Sequence, residues 1–286
     1  MINEKKLGEI EQKIINVLQT EVKDIIVETR KNMVVVEEKK DGDSATLADV
    51  KIGELFDNLL PTLVEGSIVI QEESFDEDVY KKLASSKYVW VVDPIDGTKA
   101  FRDINNYEWC VGVCLFEDLN PVLSFVYIPE LWLDKPYLLS ANKYTEGISN
   151  YGVKMTLDNS DKDCKYVSHT HRSTERNEVE EKIATLFKNN EMIRAYAGHS
   201  TLAQFAEVAL KINGKVFSRR EANVWDISQS AYLIQKMGGE VYYENGNNIF
   251  PLDLDLIEYN DHHLIMKPTI ASSKENKEKI LSVIRK

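Results

Sequence analysis

Trp90-Val91-Val92-Asp93-Pro94-Ile95-Asp96-Gly97-Thr98-Lys99-Ala100-Phe101 is the stretch from which the rest of the chain can be read. Its first residues are apolar and β-forming, so they deliver Asp93 at the C-terminal end of a strand. Pro94 and Gly97 then predict a tight turn that aims the Asp93 and Asp96 carboxylates at one point. Two carboxylates that close repel each other and take up protons unless a cation lies between them. Oxygen ligands without a neighbouring His or Cys favour Mg²⁺ over zinc. A helix opening after Gly97 would turn its first amides toward a bound phosphate. Taken alone, the same residues also suit an ordinary Asp-Pro/Asp-Gly loop.

Acids elsewhere in the chain tip that balance. Glu72 and Glu73 follow a short apolar run, residues 67–70, where a strand-end acid can join a metal site. Asp226 follows Trp225 at a predicted helix start, a position where an N-cap is the plainer reading. Asp49 lies in the first turn of a predicted helix and can orient a water together with the Thr98 hydroxyl, the alternative being a solvated helix face.

Further outward, Leu7, Ile10, Ile14, Val17, Leu18, Val22 and Ile25 recur at helical spacing and predict a long amphipathic helix. After a charged stretch at 37–43, a second helix is expected over 47–60, stopped by Pro61. Apolar runs at 67–70, 88–92, 110–116 and 122–127 read as strands. The second half alternates: strand 166–168, helix 175–189, strand 192–196, helix 201–212, strand 215–218. A helix over 226–237 ended by Gly238-Gly239, a strand at 240–243 and a helix over 274–284 complete it. Such alternation argues for a layered α/β architecture. The character changes near residue 155, dividing a first half, 1–155, with most of the acids from a second, 156–286, with Asp226.

Composition narrows the function. Of 286 residues, 43% are hydrophobic and 29% charged, a globular balance. Lys and Arg number 35 against 47 Asp and Glu, a net charge of −12 that repels nucleic acid. An acidic protein that handles phosphate needs local compensation, which divalent cations provide. Three cysteines, Cys110, Cys114 and Cys164, suit a reducing compartment; Cys110 and Cys114 read as small apolar residues of a strand rather than zinc ligands. The N-terminus is charged from its first residues and no run approaches ~18 apolar residues, so a cytoplasmic protein without a membrane span is expected.

Taken in order, Thr46 to Asp49 (Thr-x-x-Asp), Glu72-Glu73-Ser74, Asp93 to Thr98 (Asp-Pro-Ile-Asp-Gly-Thr), Gly198 to Ser200 and Trp225-Asp226 resemble the inositol monophosphatase superfamily, the lithium-sensitive, magnesium-dependent phosphatases. The resemblance implies a five-layer αβαβα sandwich. It implies two or three Mg²⁺ ions held by Glu72, Asp93, Asp96, Asp226 and the Ile95 carbonyl, with Glu73 supporting those ligands or binding a third ion. It also implies in-line attack on phosphorus by a metal-activated water that Thr98, held by Asp49, orients and deprotonates, with the Gly97 and Thr98 amides on the phosphate. Lithium inhibition and a possible homodimer belong to the same expectation.

Local details look like the 3′(2′),5′-bisphosphate nucleotidase branch: Gly97-Thr98-Lys99 with Phe101, Tyr107-Glu108-Trp109, Ser168-His169-Thr170-His171-Arg172, and Phe217-Ser218-Arg219. Seven residues before Asp226, where inositol monophosphatases carry a glutamate, stands Arg219, whose guanidinium suits a second phosphate; surface ion pairs of Arg219 and Arg220 are the alternative. Lys99, Gly198, His199, Ser200 and Arg219 are the expected substrate contacts. His199 and Gln204 depart from that branch, and residues 127–152 match it poorly. His169 and His171 would share one side of a strand, as a polar surface or, less simply, a zinc pair. The small phosphorylated metabolite expected is 3′-phosphoadenosine 5′-phosphate; an inositol or sugar phosphate is the alternative. A non-catalytic metal- or phosphate-binding module is a third reading, against which the intact set of Asp49, Glu72, Asp93, Asp96, Thr98 and Asp226 argues.

Overall fold

Asn3 accepts the Lys6 amide and opens α1 (Glu4–Val17), which a π turn at Leu18–Val22 joins to α2 (Lys23–Lys31). Leu7, Ile10, Ile14, Val17, Leu18 and Val22 are all buried, as their spacing predicts. In this computed structural model, residues 1–38, 44–133, 135–155, 164–170, 175–194, 199–260 and 262–285 are described. A hairpin of β1 (Val35–Glu38) and β2 (Ser44–Thr46) leads into α3 (Leu47–Leu63). Thr46 and Asp49 form a capping box at its start. Pro61 does not stop α3, contrary to expectation: it falls in the last turn, where it forgoes one hydrogen bond and the helix ends two residues on.

β3 (Ile68–Gln71), α4 (Glu77–Leu83), β4 (Tyr88–Asp96), α5 (Thr98–Arg102), β5 (Cys110–Glu117) and β6 (Asn120–Leu133) follow. Then come β7 (Lys135–Asn142), β8 (Ser149–Asn150) and β9 (Val153–Lys154). The seven strands from β3 to β9 form one sheet in sequence order, parallel only between β3 and β4. A second, five-stranded sheet is built from β10 (Lys165–Thr170), β11 (Asn189–Arg194), β12 (Lys215–Arg219), β14 (Gly239–Tyr243) and β17 (Thr269–Ser273) in the order β11-β10-β12-β17-β14. β13 (Ala222–Asn223), β15 (Ile257–Asn260) and β16 (His263–Met266) make a small third sheet. Between the strands run α6 (Glu178–Ala184), α7 (Thr201–Leu210), α8 (Ser228–Lys236) and, last, α9 (Lys274–Ile284). The helix expected over 175–189 is shorter: the Asn177/Glu180 capping box sets its start, it ends at Ala184, and turns at 185–188 lead into β11 at Asn189.

Alternation along β4 explains the layering. Trp90 and Val92 face Leu7, Ile14, Ile52 and Phe56 of the N-terminal helices. Val91, with Cys110, Cys114 and Leu139, faces Leu202, Phe205, Ala231 and Leu233 of α7 and α8. Those two helices pack in turn on Phe217, Val241 and Ala271 of the five-stranded sheet. On its far face, Tyr166, Val216, Tyr242 and Ile270 meet Ile183, Ile280 and Leu281 of α6 and α9. Helices, sheet, helices, sheet, helices: this is the expected αβαβα sandwich. Among the described residues no helix is long and apolar enough to cross a membrane.

Candidate functional site

The turn expected after Asp93 is instead a bulge. β4 continues to Asp96, its pairing with β5 stepping from Asp93–Gly112 to Asp96–Cys110, so one extra residue is accommodated at Pro94-Ile95. A bulge tolerates proline because the ladder hydrogen bond is already lost there. The reversal comes at Gly97, with φ of +87°, where a Cβ would lie 2.8 Å from the Glu108 carbonyl oxygen and 3.3 Å from the Ser200 Cβ. Only glycine fits both demands.

The bulge aims two acids at one place, and a short 3₁₀ turn, Val224–Asp226, adds a third. Asp93, Asp96 and Asp226 each offer a carboxylate oxygen within 4.8 Å of the others. Asp96 spends Oδ2 on the Ser200 hydroxyl (2.5 Å) and the Leu202 amide (2.6 Å), and Asp226 spends Oδ2 on the Asn223 amide (2.9 Å). Asp93 is 1% exposed, and neither of its oxygens has a hydrogen-bond donor among the described residues. Burial pushes its carboxyl well above the usual range, and the charges of Asp96, Glu72 and Asp226 push the same way. Asp226 is raised by burial and by Asp96 and Glu72, with Arg219 opposing. Burial takes Asp96 up to about 7 against its two donors.

Three crowded acids with two orphaned buried oxygens are a poor arrangement for protons and a good one for a divalent cation. The residues fit Mg²⁺. Glu72, half-buried just past β3, contributes its field to all three acids.

Asp49 is buried nearby, and its charge is felt by Asp93. Its Oδ2 accepts from the Thr46 amide (2.7 Å) and hydroxyl (2.6 Å), which leaves Oδ1 toward the Thr98 hydroxyl at 3.4 Å. Thr98 is closer to the Ile95 carbonyl, at 3.0 Å. One hydroxyl proton serves one acceptor at a time, so Ile95 and Asp49 compete for it. Burial pushes the Asp49 carboxyl to about 8, and the charges of Glu73 and Glu72 add to that.

The other expected contacts divide. Arg219, at the end of β12, is 6% exposed, and its charge is felt by Asp96 and Asp226. It is buried rather than on the surface, and the neighbouring Arg220 pairs with the buried Glu180 carboxylate. Ser200 is fully buried and turned onto Asp96, away from any open surface. His199 meets the Glu108 carboxylate through Nδ1. Lys99 is exposed on α5. Gln204 accepts from the buried Lys215 ammonium, so it belongs to a lysine–glutamate cluster at α7. His169 is buried against Phe217, not part of a polar strand surface. Gly198, His171 and Arg172 lie outside the described residues.

One participant escaped the sequence reading: the Leu202 amide carries no side-chain signal. Glu108, singled out above only within Tyr107-Glu108-Trp109, proves to receive the Ser200 amide on its carbonyl at 3.0 Å.

Over 93 residues the chain is 36% identical to the 3′(2′),5′-bisphosphate nucleotidase CysQ of Salmonella typhimurium; the match covers 32% of this chain and spans only 37% of that relative's length. An inositol monophosphatase of Dictyostelium discoideum is 27% identical over 210 residues, 71% of this chain and 73% of the relative. A crystal structure of an inositol monophosphatase/NADP phosphatase complexed with Mg²⁺ and phosphate shares the fold, with a TM-score of 0.72 at 20% identity over 97% of this chain and 95% of that one. The sequence model described as "Inositol monophosphatase family" matches residues 9–286, nearly the whole length, and the chain belongs to that metal-dependent family.

Proposed function

We propose that the chain is a Mg²⁺-dependent phosphomonoesterase for a small phosphorylated metabolite. Asp93 carries this reading: a buried carboxylate with no donor for either oxygen among the described residues, facing Asp96 and Asp226, is suited to be a cation ligand. Glu72, Asp93, Asp96, Asp226 and the Ile95 carbonyl would hold two or three ions. Divalent cations held there supply charge neutralisation for phosphoryl oxygens and make water more acidic. The chain's own residues do the rest. Thr98 orients a water whose oxygen bonds to phosphorus while the ester P–O bond opposite breaks, its electron pair leaving with the departing oxygen, which takes a proton from solvent to become the product alcohol. Asp49, whose carboxyl burial raises to about 8, receives the water's proton through the Thr98 hydroxyl. The Gly97 and Thr98 amides and Lys99 steady the phosphate.

Among such metabolites, 3′-phosphoadenosine 5′-phosphate is the favoured substrate. Arg219 supports it: a buried guanidinium beside the acids of the site suits a second phosphate bidentately. The nucleotidase name of the Salmonella relative points the same way. An inositol or sugar phosphate is the second reading, favoured by the Dictyostelium relative, whose match covers more of both chains.

Phosphate release from the bisphosphate nucleotide and from inositol 1-phosphate, measured against added Mg²⁺, tests both. The wild type is expected to prefer the nucleotide, and Arg219→Gln to lose about 2–3 kcal/mol of that preference, roughly a hundredfold. A wild-type preference for inositol 1-phosphate rejects the nucleotide. LiCl added at fixed Mg²⁺ is expected to lower the rate.

A further inference from the structure

Ser200 has no solvent exposure, and all its hydrogen-bonding capacity is committed. Its hydroxyl donates to Asp96 Oδ2 at 2.5 Å. As N-cap of α7 it accepts the Ala203 amide at 2.9 Å, and the Cys110 Sγ lies 3.3 Å from the same oxygen. A hydroxyl has one proton and two lone pairs. The carboxylate takes the proton and the Ala203 amide takes one lone pair, so Cys110 must be a donor to the other. The Leu202 amide meets the same Asp96 oxygen at 2.6 Å, which leaves Oδ1 as the oxygen without these donors. The main chain is pinned too. The Ser200 amide donates to the Glu108 carbonyl at 3.0 Å, and the neighbouring His199 ring meets the Glu108 carboxylate. Gly97, lacking a Cβ, lets Ser200 come this close.

We infer that Ser200 is a positioning residue for Asp96, holding it so that one defined carboxylate oxygen faces the cation site, with Glu108 as the clasp that keeps Ser200 in place. The inference rests on the reading of Asp93, Asp96 and Asp226 as metal ligands. A carboxylate held by donors on one oxygen cannot rotate away from the ion, so ordering it is not charged against metal binding. The start of α7, more than a hundred residues beyond Asp96, thereby sets part of the metal geometry.

The test is Mg²⁺ titration of the full chain by calorimetry. It is read alongside the Mg²⁺-induced rise in Tm over each protein's own value in EDTA, and kcat at saturating Mg²⁺. Ser200→Ala is expected to raise the Mg²⁺ dissociation constant about ten-fold with a much smaller fall in saturated kcat, while Ser200→Thr, which keeps the hydroxyl, stays within about two-fold of wild type. A capping role alone would lower Tm in EDTA and leave the dissociation constant where it was. Affinity in Ser200→Ala within about two-fold of wild type, or Ser200→Thr as weak as Ser200→Ala, overturns the inference. Should Ser200→Ala not fold, Glu108→Ala, at a partly exposed position, removes the carboxylate that holds the neighbouring His199 ring while keeping the carbonyl that receives the Ser200 amide; about three-fold weaker Mg²⁺ binding supports the inference and unchanged binding overturns it. A wild-type chain that takes up no Mg²⁺ overturns the ligand reading itself and this inference with it, a result distinct from any variant's.

Discussion

Asp226 brings a carboxylate oxygen within 4.8 Å of one on Asp93, although Asp93 sits beside the bulge of β4 in the seven-stranded sheet and Asp226 in a turn before α8. Bare, that approach is repulsive and desolvated. It persists because β4 and the Val224–Asp226 turn are each held by their own packing: Trp90 and Trp225 are both fully buried.

Replacing one of these acids should therefore separate metal chemistry from folding. Asp93→Asn is expected to lower Mg²⁺-dependent phosphate release by about a thousandfold, some 4 kcal/mol, by removing a ligand. Its Tm in EDTA should not fall, since a neutral amide relieves the crowding, and its Mg²⁺-induced rise in Tm should disappear. Retained turnover would contradict the assignment.

The same crowding fixes the direction of a pH effect. Asp49 at about 8 and Asp96 at about 7, with Asp93 and Asp226 also raised, sit above the ordinary aspartate value near 3.8. A group whose folded pKa exceeds its unfolded one contributes stability at low pH and loses it as pH rises through the folded value. Without divalent ions the chain should be less stable at pH 8.5 than these groups make it at pH 5.5. Mg²⁺ needs the ionised acids, so its effect on Tm should grow between those two pH values. Thermal scans in EDTA and in Mg²⁺ at both pH values check this; a larger Mg²⁺ effect at pH 5.5 would refute it.

Gly97→Ala forces a Cβ into a left-handed backbone and to 2.8 Å from the Glu108 carbonyl oxygen. About 1–3 kcal/mol of stability should be lost, read by urea unfolding. Activity should fall further than stability, because Thr98 and Asp96 flank the strained residue.

Arg30 is buried, donates to the carbonyls of Asp103 (3.1 Å) and Asn106 (2.5 Å), and lies within 5.1–5.7 Å of the Phe101, Tyr107 and Trp109 ring centres. It ties α2 to the segment that ends at Glu108. Arg30→Met, similar in bulk but without donors, is expected to cost about 2–4 kcal/mol in urea unfolding, and Arg30→Lys to recover only part of that, since an ammonium lacks the planar fork.

Much of this molecule is legible locally. Helical periodicity marks the N-terminal helices and α9, and the order of strand, acids, glycine and helix from Trp90 to Phe101 stands as the residues suggest. β17 shows where local signals fail. Thr269-Ile270-Ala271-Ser272-Ser273 has little β-forming character of its own, and its state comes from pairing with β12 on one side and β14 on the other.

By itself the sequence determined which chemical groups exist and their local settings: the acids, the glycine at the left-handed position between Asp96 and Thr98, the capping pair Thr46 and Asp49, the apolar stripes that bury each layer. The tertiary structure alone decided that Pro94 lies in a bulge, that Asp226 reaches Asp93, and that Ser200 turns inward to Asp96 instead of outward to a ligand. Backbone sterics and periodicity act over a few residues. Where distant side chains meet depends on how five layers dock, a sum over many buried contacts that no short stretch contains.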